Sequence, residues 1–222
     1  MMKLLFNALM KFAVGFLMLG ILLFLPAGTL MFTNAWLFLA LLFIPMLLIG
    51  AVLFLKAPEL LKKRLNGKEK ESAQKGVIAV SCIIFVAGYM VAGLDFRFAW
   101  SKIPIWVICA SSVLFLLSYA LYAEVMRENA YLSRNIEIQD GQKVIDSGLY
   151  GVVRHPMYMA TILMYLAMPL ILGSWWSFLI FAFYPFLIVI RIQNEERVLE
   201  KGLDGYTEYK KKVRYRIIPF IW

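Results

Sequence analysis

The chain has 222 residues and a formal net charge of +9; hydrophobic residues make up 62% of it and charged residues only 17%. Soluble domains contain about 45–50% apolar and about 25% charged residues, so this composition excludes a soluble globular domain and predicts an integral membrane protein. The two cysteines, Cys82 and Cys109, lie inside apolar runs without metal-ligand spacing, and we therefore predict no metal site.

Six apolar segments, taken in chain order, predict an all-α integral membrane protein with about six transmembrane helices. Even the shortest segment would extend about 26 Å as a helix, which is enough for a thin bilayer. The last two are separated only by a short turn at Gly173 and Ser174, which predicts a tight helical hairpin. The six predicted helices are residues 10–31, 35–55, 77–94, 104–123, 157–173 and 175–191.

The basic residues predict the orientation of these helices. Of the 23 lysines and arginines, all but Arg97 and Lys102 fall in segments that would share one side of the membrane. Because short loops rich in Lys and Arg stay cytoplasmic, we expect both termini to be cytoplasmic. A basic surface beside an anionic leaflet accounts for the net charge, so we predict no nucleic-acid partner.

Two polar stretches, residues 124–156 and 192–222, flank the predicted hairpin on its cytoplasmic side, where they can meet. In the first stretch, "ENAYLSRN" (128–135) predicts the end of a helix, and Asp140 and Gly141 predict a turn.

The second polar stretch is predicted to continue the last membrane helix and to break at Gly202 and Gly205. An amphipathic basic helix is then expected from Tyr206 to Val213. We divide the chain into N-terminal transmembrane helices, residues 1–123, and a C-terminal catalytic region, residues 124–222.

The single histidine, His155, lies between Arg154 and Pro156 at the start of an apolar segment, with Tyr150 and Tyr158 nearby. Taken singly, each residue has an ordinary structural explanation. A histidine here can face the interface, an arginine can anchor the cytoplasmic side, and the tyrosines fit an aromatic belt.

The acidic pair Glu195 and Glu196 likewise fits a solvated helix surface, and Arg191 fits an ordinary i, i+4 ion pair with Glu195. Only the combination of the two clusters points to a functional site.

Three sequence blocks occur in order, "GLYGVVRHPMY", "EERVL" and "GYTEYKKKVRYRIIPFIW". Over roughly residues 127–222 they resemble the C-terminal half of the isoprenylcysteine carboxyl methyltransferase and phospholipid methyltransferase superfamily. The signature of that superfamily ends its first block with glycine where this chain has Ala160, another small residue that allows close helix packing.

The resemblance implies a membrane enzyme that uses S-adenosylmethionine at a cytoplasmic C-terminal region to methylate a membrane lipid or hydrophobic small molecule. In function it most resembles the isoprenylcysteine carboxyl O-methyltransferases. We expect this protein to lie in a bacterial or archaeal plasma membrane. The implied substrate-side arginine is Arg191, and our candidate catalytic residues are Arg191, Glu195 and Glu196. The implied cofactor contacts are Gln139, Gln142, Lys143, Val144, Ile145, Tyr150, His155, Pro156, Met157, Tyr158 and Glu195.

The acceptor stays open between two chemistries. A carboxylate needs no base, only a partner such as Arg191 to orient it. An amine or a thiol, as in phospholipid N-methylation or thiol S-methylation, must lose a proton, which makes Glu195 or Glu196 the candidate base.

Two other functions compete with methyl transfer. The ending "KVRYRIIPFIW" also resembles membrane sterol reductases, which use NADPH but carry Trp-Trp where this chain has Leu149 and Tyr150. A transporter or a non-enzymatic scaffold is the third possibility. It calls for polar residues along the membrane helices, and the six predicted helices hold almost none.

Overall fold

The computed structural model describes residues 2–65, 72–132 and 138–222. Within these ranges all regular structure is helical, which confirms the predicted all-α class. A 3₁₀ turn covers Gly148–Gly151. The α-helices are α1 (Met2–Ala27), α2 (Thr33–Lys56), α3 (Pro58–Leu65), α4 (Ser72–Phe98), α5 (Ile105–Glu128), α6 (Pro156–Ile171), α7 (Trp175–Phe181), α8 (Tyr184–Gly202) and α9 (Tyr206–Lys212).

Five helical stretches of the described chain are long and apolar enough to cross a membrane: α1, α2, α4, α5, and α7 together with α8. Each has at least 24 residues, or about 36 Å of helix, against a hydrocarbon core of about 30 Å. These helices indicate an integral membrane protein. The predicted span at 157–173 corresponds to α6, which is apolar but has 16 residues, about 24 Å of helix.

The tight turn predicted between the last two apolar segments is present. Gly173 has φ +82°, and Ser174 caps α7 by accepting a hydrogen bond from the Ser177 N–H at 3.0 Å. The Ser174 hydroxyl also donates a hydrogen bond to the buried carboxylate of Asp95 at 2.5 Å. The same carboxylate accepts a second hydrogen bond, from the Ser101 hydroxyl, at 2.6 Å. Asp95 therefore ties the end of α4 to the hairpin.

The main hydrophobic core joins the two halves of the sequence. Phe38 and Phe115 from the N-terminal helices pack in one buried cluster with Ile171 and Phe181 from the hairpin. The Phe181 ring packs directly on Gly88 of α4, where an added Cβ would lie 2.3 Å from it. The division of the chain into a membrane region, residues 1–123, and a catalytic region, residues 124–222, remains a prediction.

The helix predicted through residues 128–135 is wrong for residues 129–132. Helix α5 ends at Glu128, and Asn129 has extended backbone angles of φ −121° and ψ 96°. The remaining part of that prediction, residues 133–135, lies outside the described residues.

The other predicted breaks in the polar stretches are confirmed. Asp140 and Gly141 form a turn in which Gly141 has φ +68°. Helix α8 ends at Gly202, Gly205 has φ +81°, and α9 follows as Tyr206–Lys212. The positive φ values explain the glycines at positions 141 and 205.

The two polar stretches meet at one end of the bundle. The N–H of Arg154 donates to the Tyr215 carbonyl at 2.9 Å, and the N–H of His155 donates to the Arg216 carbonyl at 2.8 Å. These bonds hold the C-terminal tail against the first turn of α6, next to the C-terminal end of α8.

Candidate functional site

A cavity of about 110 Å³ lies where the start of α6 and the end of α8 meet α9 and residues 142–145. Small-molecule sites usually measure roughly 300–1,000 Å³, so a nucleoside-sized ligand requires this cavity to widen. Ten of the residues implied by the superfamily resemblance line it: Gln142, Lys143, Val144, Ile145, Tyr150, His155, Met157, Tyr158, Arg191 and Glu195. Eight further described residues line the cavity but were not among the site residues predicted from the sequence: Asn129, Tyr131, Leu132, Arg154, Leu199, Leu203, Tyr206 and Tyr209.

Tyr150 is held by contacts from three directions. Its hydroxyl accepts a hydrogen bond from Asn129 Nδ2 at 2.9 Å, and its carbonyl accepts one from the Tyr209 hydroxyl at 2.8 Å. Tyr150 lies in the 3₁₀ turn, and at the start of this turn the Leu149 N–H donates a hydrogen bond to the Glu128 carboxylate at 2.9 Å. The end of α5 therefore positions this part of the cavity.

Gly148 is expected to be indispensable in this turn. It has φ +57°, and an added Cβ would lie 2.0 Å from Glu128 Oε1. The left-handed backbone alone costs a side chain about 1–2 kcal/mol, and the clash adds to that cost. We expect Gly148→Ala to lower the thermal unfolding temperature in detergent by at least about 5 °C.

Gly141→Ala is the matched control for that substitution. Gly141 also has a positive φ, but an added Cβ there meets nothing within 4 Å. Equal destabilisation by the two substitutions would mean that the contact with Glu128 is unimportant.

Glu196 does not line the cavity; it is a buried ion-pair centre beneath it, with 3% of its surface exposed. Its Oε1 accepts a hydrogen bond from Arg154 Nε at 2.8 Å and lies 3.2 Å from His155 Nε2. Its Oε2 accepts Arg216 Nε at 3.1 Å. Arg154 also donates to the Val213 carbonyl at 2.7 Å. The carboxylate thus joins the start of α6 to the C-terminal tail.

Glu195, the neighbouring residue, does face the cavity. The buried Tyr158 hydroxyl donates to Glu195 Oε2 at 2.5 Å and accepts a hydrogen bond from Arg191 Nε at 3.0 Å. One phenol therefore connects the implied substrate-side arginine to the implied cofactor-side carboxylate.

Gln139 and Pro156, the other two implied residues outside the cavity lining, support its walls. The Gln139 side chain donates to the Tyr131 carbonyl at 2.6 Å and accepts from Lys63 Nζ at 2.5 Å. Its backbone N–H donates to Gln142 Oε1 at 2.9 Å. Pro156 is the first residue of α6, where the missing N–H removes no intrahelical bond.

Three tyrosines supply neutral hydroxyl groups to the cavity. Burial raises the pKa of Tyr150 to about 12, although the hydrogen bond from Asn129 opposes the shift. Burial also raises the pKa of Tyr206 and of Tyr209 well above the ordinary value. Within the described part of the chain, the buried Tyr206 hydroxyl has no hydrogen-bond partner, so it is available to a ligand.

Helix α9 closes one side of the cavity, a role that its basic composition did not indicate. Tyr206 and Tyr209 are three residues apart on α9, which places both on one face toward the cavity, and Leu203, just before this helix, also lines it. On the outer side, Lys212 donates to Asp146 at 2.6 Å, and this hydrogen bond lowers the pKa of Asp146. The three-residue spacing is the signal that could have identified the two tyrosines.

Fold and site together define a helical membrane protein with a cavity of mixed charge at one end of the bundle. Residues 106–204 match the family model described as phospholipid methyltransferase. This match confirms the resemblance to that superfamily which the three sequence blocks had predicted.

Curated relatives carry a different name, Delta(14)-sterol reductase. The protein from Mus musculus is 34% identical over 85 residues, which cover 37% of this chain and 20% of that protein. The protein from Methylotuvimicrobium alcaliphilum is 24% identical over 135 residues, 54% of this chain and 32% of that protein. The Arabidopsis thaliana protein is 24% identical over 128 residues, 52% of this chain and 34% of that protein. The chain spans a fifth to a third of the length of these relatives.

Proposed function

We propose that this protein is an S-adenosylmethionine-dependent methyltransferase that acts on a hydrophobic or lipid-borne acceptor at the cytoplasmic membrane face. The family match over residues 106–204 supports the class. The observation that carries the proposal is the cavity in which Glu195, neutral tyrosine hydroxyls and Arg191 lie together at the end of apolar helices.

The residues present suit this cofactor. When bound, S-adenosylmethionine supplies a methyl group made electrophilic by a sulfonium. Glu195 offers an acceptor for the cofactor ammonium, and the unpartnered Tyr206 hydroxyl offers a donor for its carboxylate. The cavity has to widen for a molecule of this size, and Gly202 and Gly205, which flank the short connection to α9, permit such a movement.

Arg191 is the proposed partner of the acceptor. It lies on α8 about one helical turn from Glu195 and lines the same cavity. A guanidinium orients a carboxylate in a bidentate manner, which favours a carboxyl acceptor. With an amine or a thiol acceptor, the base would be Glu195, because Glu196 is buried and occupied by three basic side chains.

The orientation and the division of the chain belong to the same proposal. We place both termini and the cavity on the cytoplasmic side of a bacterial or archaeal plasma membrane, since 21 of the 23 basic residues would then lie inside. Residues 124–222 form the proposed catalytic region, and residues 1–123 the membrane part that supports it.

A reductase that uses NADPH is the second candidate, favoured by the names of the curated relatives. Binding to the purified protein separates the two candidates. We expect S-adenosylmethionine to bind with a dissociation constant at least about tenfold below that of NADPH, a difference of about 1.4 kcal/mol. Isothermal titration of each cofactor into the protein in detergent measures both constants. Tighter binding of NADPH would overturn the methyltransferase proposal.

The acceptor can be identified directly. Membranes that contain the protein are incubated with methyl-labelled S-adenosylmethionine, and the labelled lipid or small molecule is identified by mass spectrometry. A base-labile methyl ester would indicate a carboxyl acceptor, whereas a base-stable product would indicate an amine or a thiol.

A further inference from the structure

A second recess lies among the N-terminal helices, and none of its described lining residues lines the functional cavity. It is a groove of about 490 Å³ between α1, α2 and α3. Its walls are apolar, with Leu9, Phe12, Leu47, Phe54 and Leu61 among the lining residues. Within the described ranges of the chain, Lys11 is the one charged side chain that lines it. Such a groove can accommodate a hydrocarbon chain.

A polar recess of about 540 Å³ adjoins this groove at Lys11 and Leu65, which line both. Lys11 Nζ donates to the Leu65 carbonyl at 2.5 Å, so the ammonium is fixed at the junction. Lys62 and Lys63 also line the polar recess, and among the residues that the structure describes Glu59 is the one carboxylate that does so. The polar recess is therefore cationic where the groove is apolar.

We propose that the two recesses together bind an anionic phospholipid, with an acyl chain in the groove and the phosphate beside Lys11 and Lys62. The two-part lining matches a molecule with an apolar and an anionic end, and both ends meet at Lys11. A lysine near an anionic headgroup contributes about 1 kcal/mol, which is about fivefold in affinity. The site goes beyond the proposed methyl transfer and does not depend on it.

The site is linked to the functional cavity through α3. Lys63, which lines the polar recess, donates to Gln139 Oε1 at 2.5 Å, and Gln139 supports the turn that leads to Gln142. A lipid bound here thus contacts the helix that braces the cavity wall.

The acyl-chain part of the proposal is tested by filling the groove. Gly50 lines it, and an added Cβ at this position meets nothing within 4 Å, so Gly50→Phe projects a ring into the groove without a backbone clash. Gly15→Phe is the matched control, since Gly15 lies on α1 outside the groove and is equally unobstructed. Native mass spectrometry of the purified full chain, titrated with phosphatidylglycerol, measures lipid binding.

We expect Gly50→Phe to weaken phosphatidylglycerol binding at least about fivefold, because overpacking of a close-packed site costs at least about 1 kcal/mol, and Gly15→Phe to leave it unchanged. Unchanged binding by Gly50→Phe would overturn the proposal. A dimer in the wild type that Gly50→Phe abolishes would also overturn it, in favour of a second copy of the chain in the groove.

The headgroup part is tested by charge. The double variant Lys11→Gln and Lys62→Gln should lower phosphatidylglycerol affinity about 25-fold while leaving the affinity for zwitterionic phosphatidylcholine within about twofold. The control, Lys102→Gln with Lys201→Gln, removes the same charge away from the site and should have no effect. Equal wild-type affinity for the two lipids would overturn the proposal. Lipid binding is measured without S-adenosylmethionine, so failure of the lipid-site proposal is distinguishable from failure of the proposed function.

Discussion

Replacing Arg191 with alanine is expected to lower the rate of methyl transfer about 100-fold while changing S-adenosylmethionine affinity less than about threefold. Under the proposed function, Arg191 orients the acceptor, so its loss removes alignment rather than cofactor binding. Glu195→Gln should give the opposite result. Loss of a charge-assisted hydrogen bond costs about 1.5–3 kcal/mol, so the dissociation constant should rise about 10- to 100-fold.

The two effects are separated by measuring cofactor affinity by titration and the single-turnover rate at saturating cofactor. Arg197→Ala is the control, because Arg197 lies on the same helix and is exposed. Tyr158→Phe should impair both quantities, since its hydroxyl contacts both Arg191 and Glu195. The reverse ranking, with Arg191→Ala weakening the cofactor and Glu195→Gln slowing only turnover, would contradict the assigned roles.

Much of the fold could be predicted because it depends on local sequence. Long apolar runs indicate membrane helices whatever their neighbours are, and the hairpin turn follows from Gly173 and Ser174, which adopt the φ and the capping geometry that their residue types favour. The end of α5 was not predictable in this way. Glu128 is the last residue of this helix, and its carboxylate accepts a hydrogen bond from the N–H of Leu149, which is 21 residues further along the chain.

The candidate site was predictable as a set of residues but not as an arrangement. Adjacent residues on a helix point about 100° apart, so Glu195 and Glu196 must face different surroundings, and the sequence does not say which one faces the cavity. Arg154 fitted a cytoplasmic anchor equally well, yet it is 5% exposed and paired with Glu196. These distinctions depend on where the C-terminal tail packs, which is a long-range property.

The burial of Glu196 leads to the largest expected effect on stability. Glu196→Gln keeps the side-chain shape but leaves the buried Arg154 guanidinium without its counter-charge. Removing one partner of a buried ion pair costs about 3–5 kcal/mol, and for a chain of this length the thermal unfolding temperature should fall by on the order of 10 °C. The measurement is thermal unfolding in detergent, followed by tryptophan fluorescence. Glu200→Gln, which removes an exposed ion pair with Lys210, is the control and should cost less than about 1 kcal/mol.

A paired replacement distinguishes a missing counter-charge from a missing shape. If the cost arises from the unpaired Arg154 guanidinium, then Arg154→Met combined with Glu196→Met should be more stable than Glu196→Gln alone, because it removes both buried charges of this pair, and the Arg216 side chain left behind is partly exposed to solvent. The double variant still loses the hydrogen bonds from Arg154 to the C-terminal tail, so it should bind the cofactor more weakly than the wild type even though its stability recovers. A double variant less stable than Glu196→Gln would show that the tail contacts, rather than the buried charge, account for the loss.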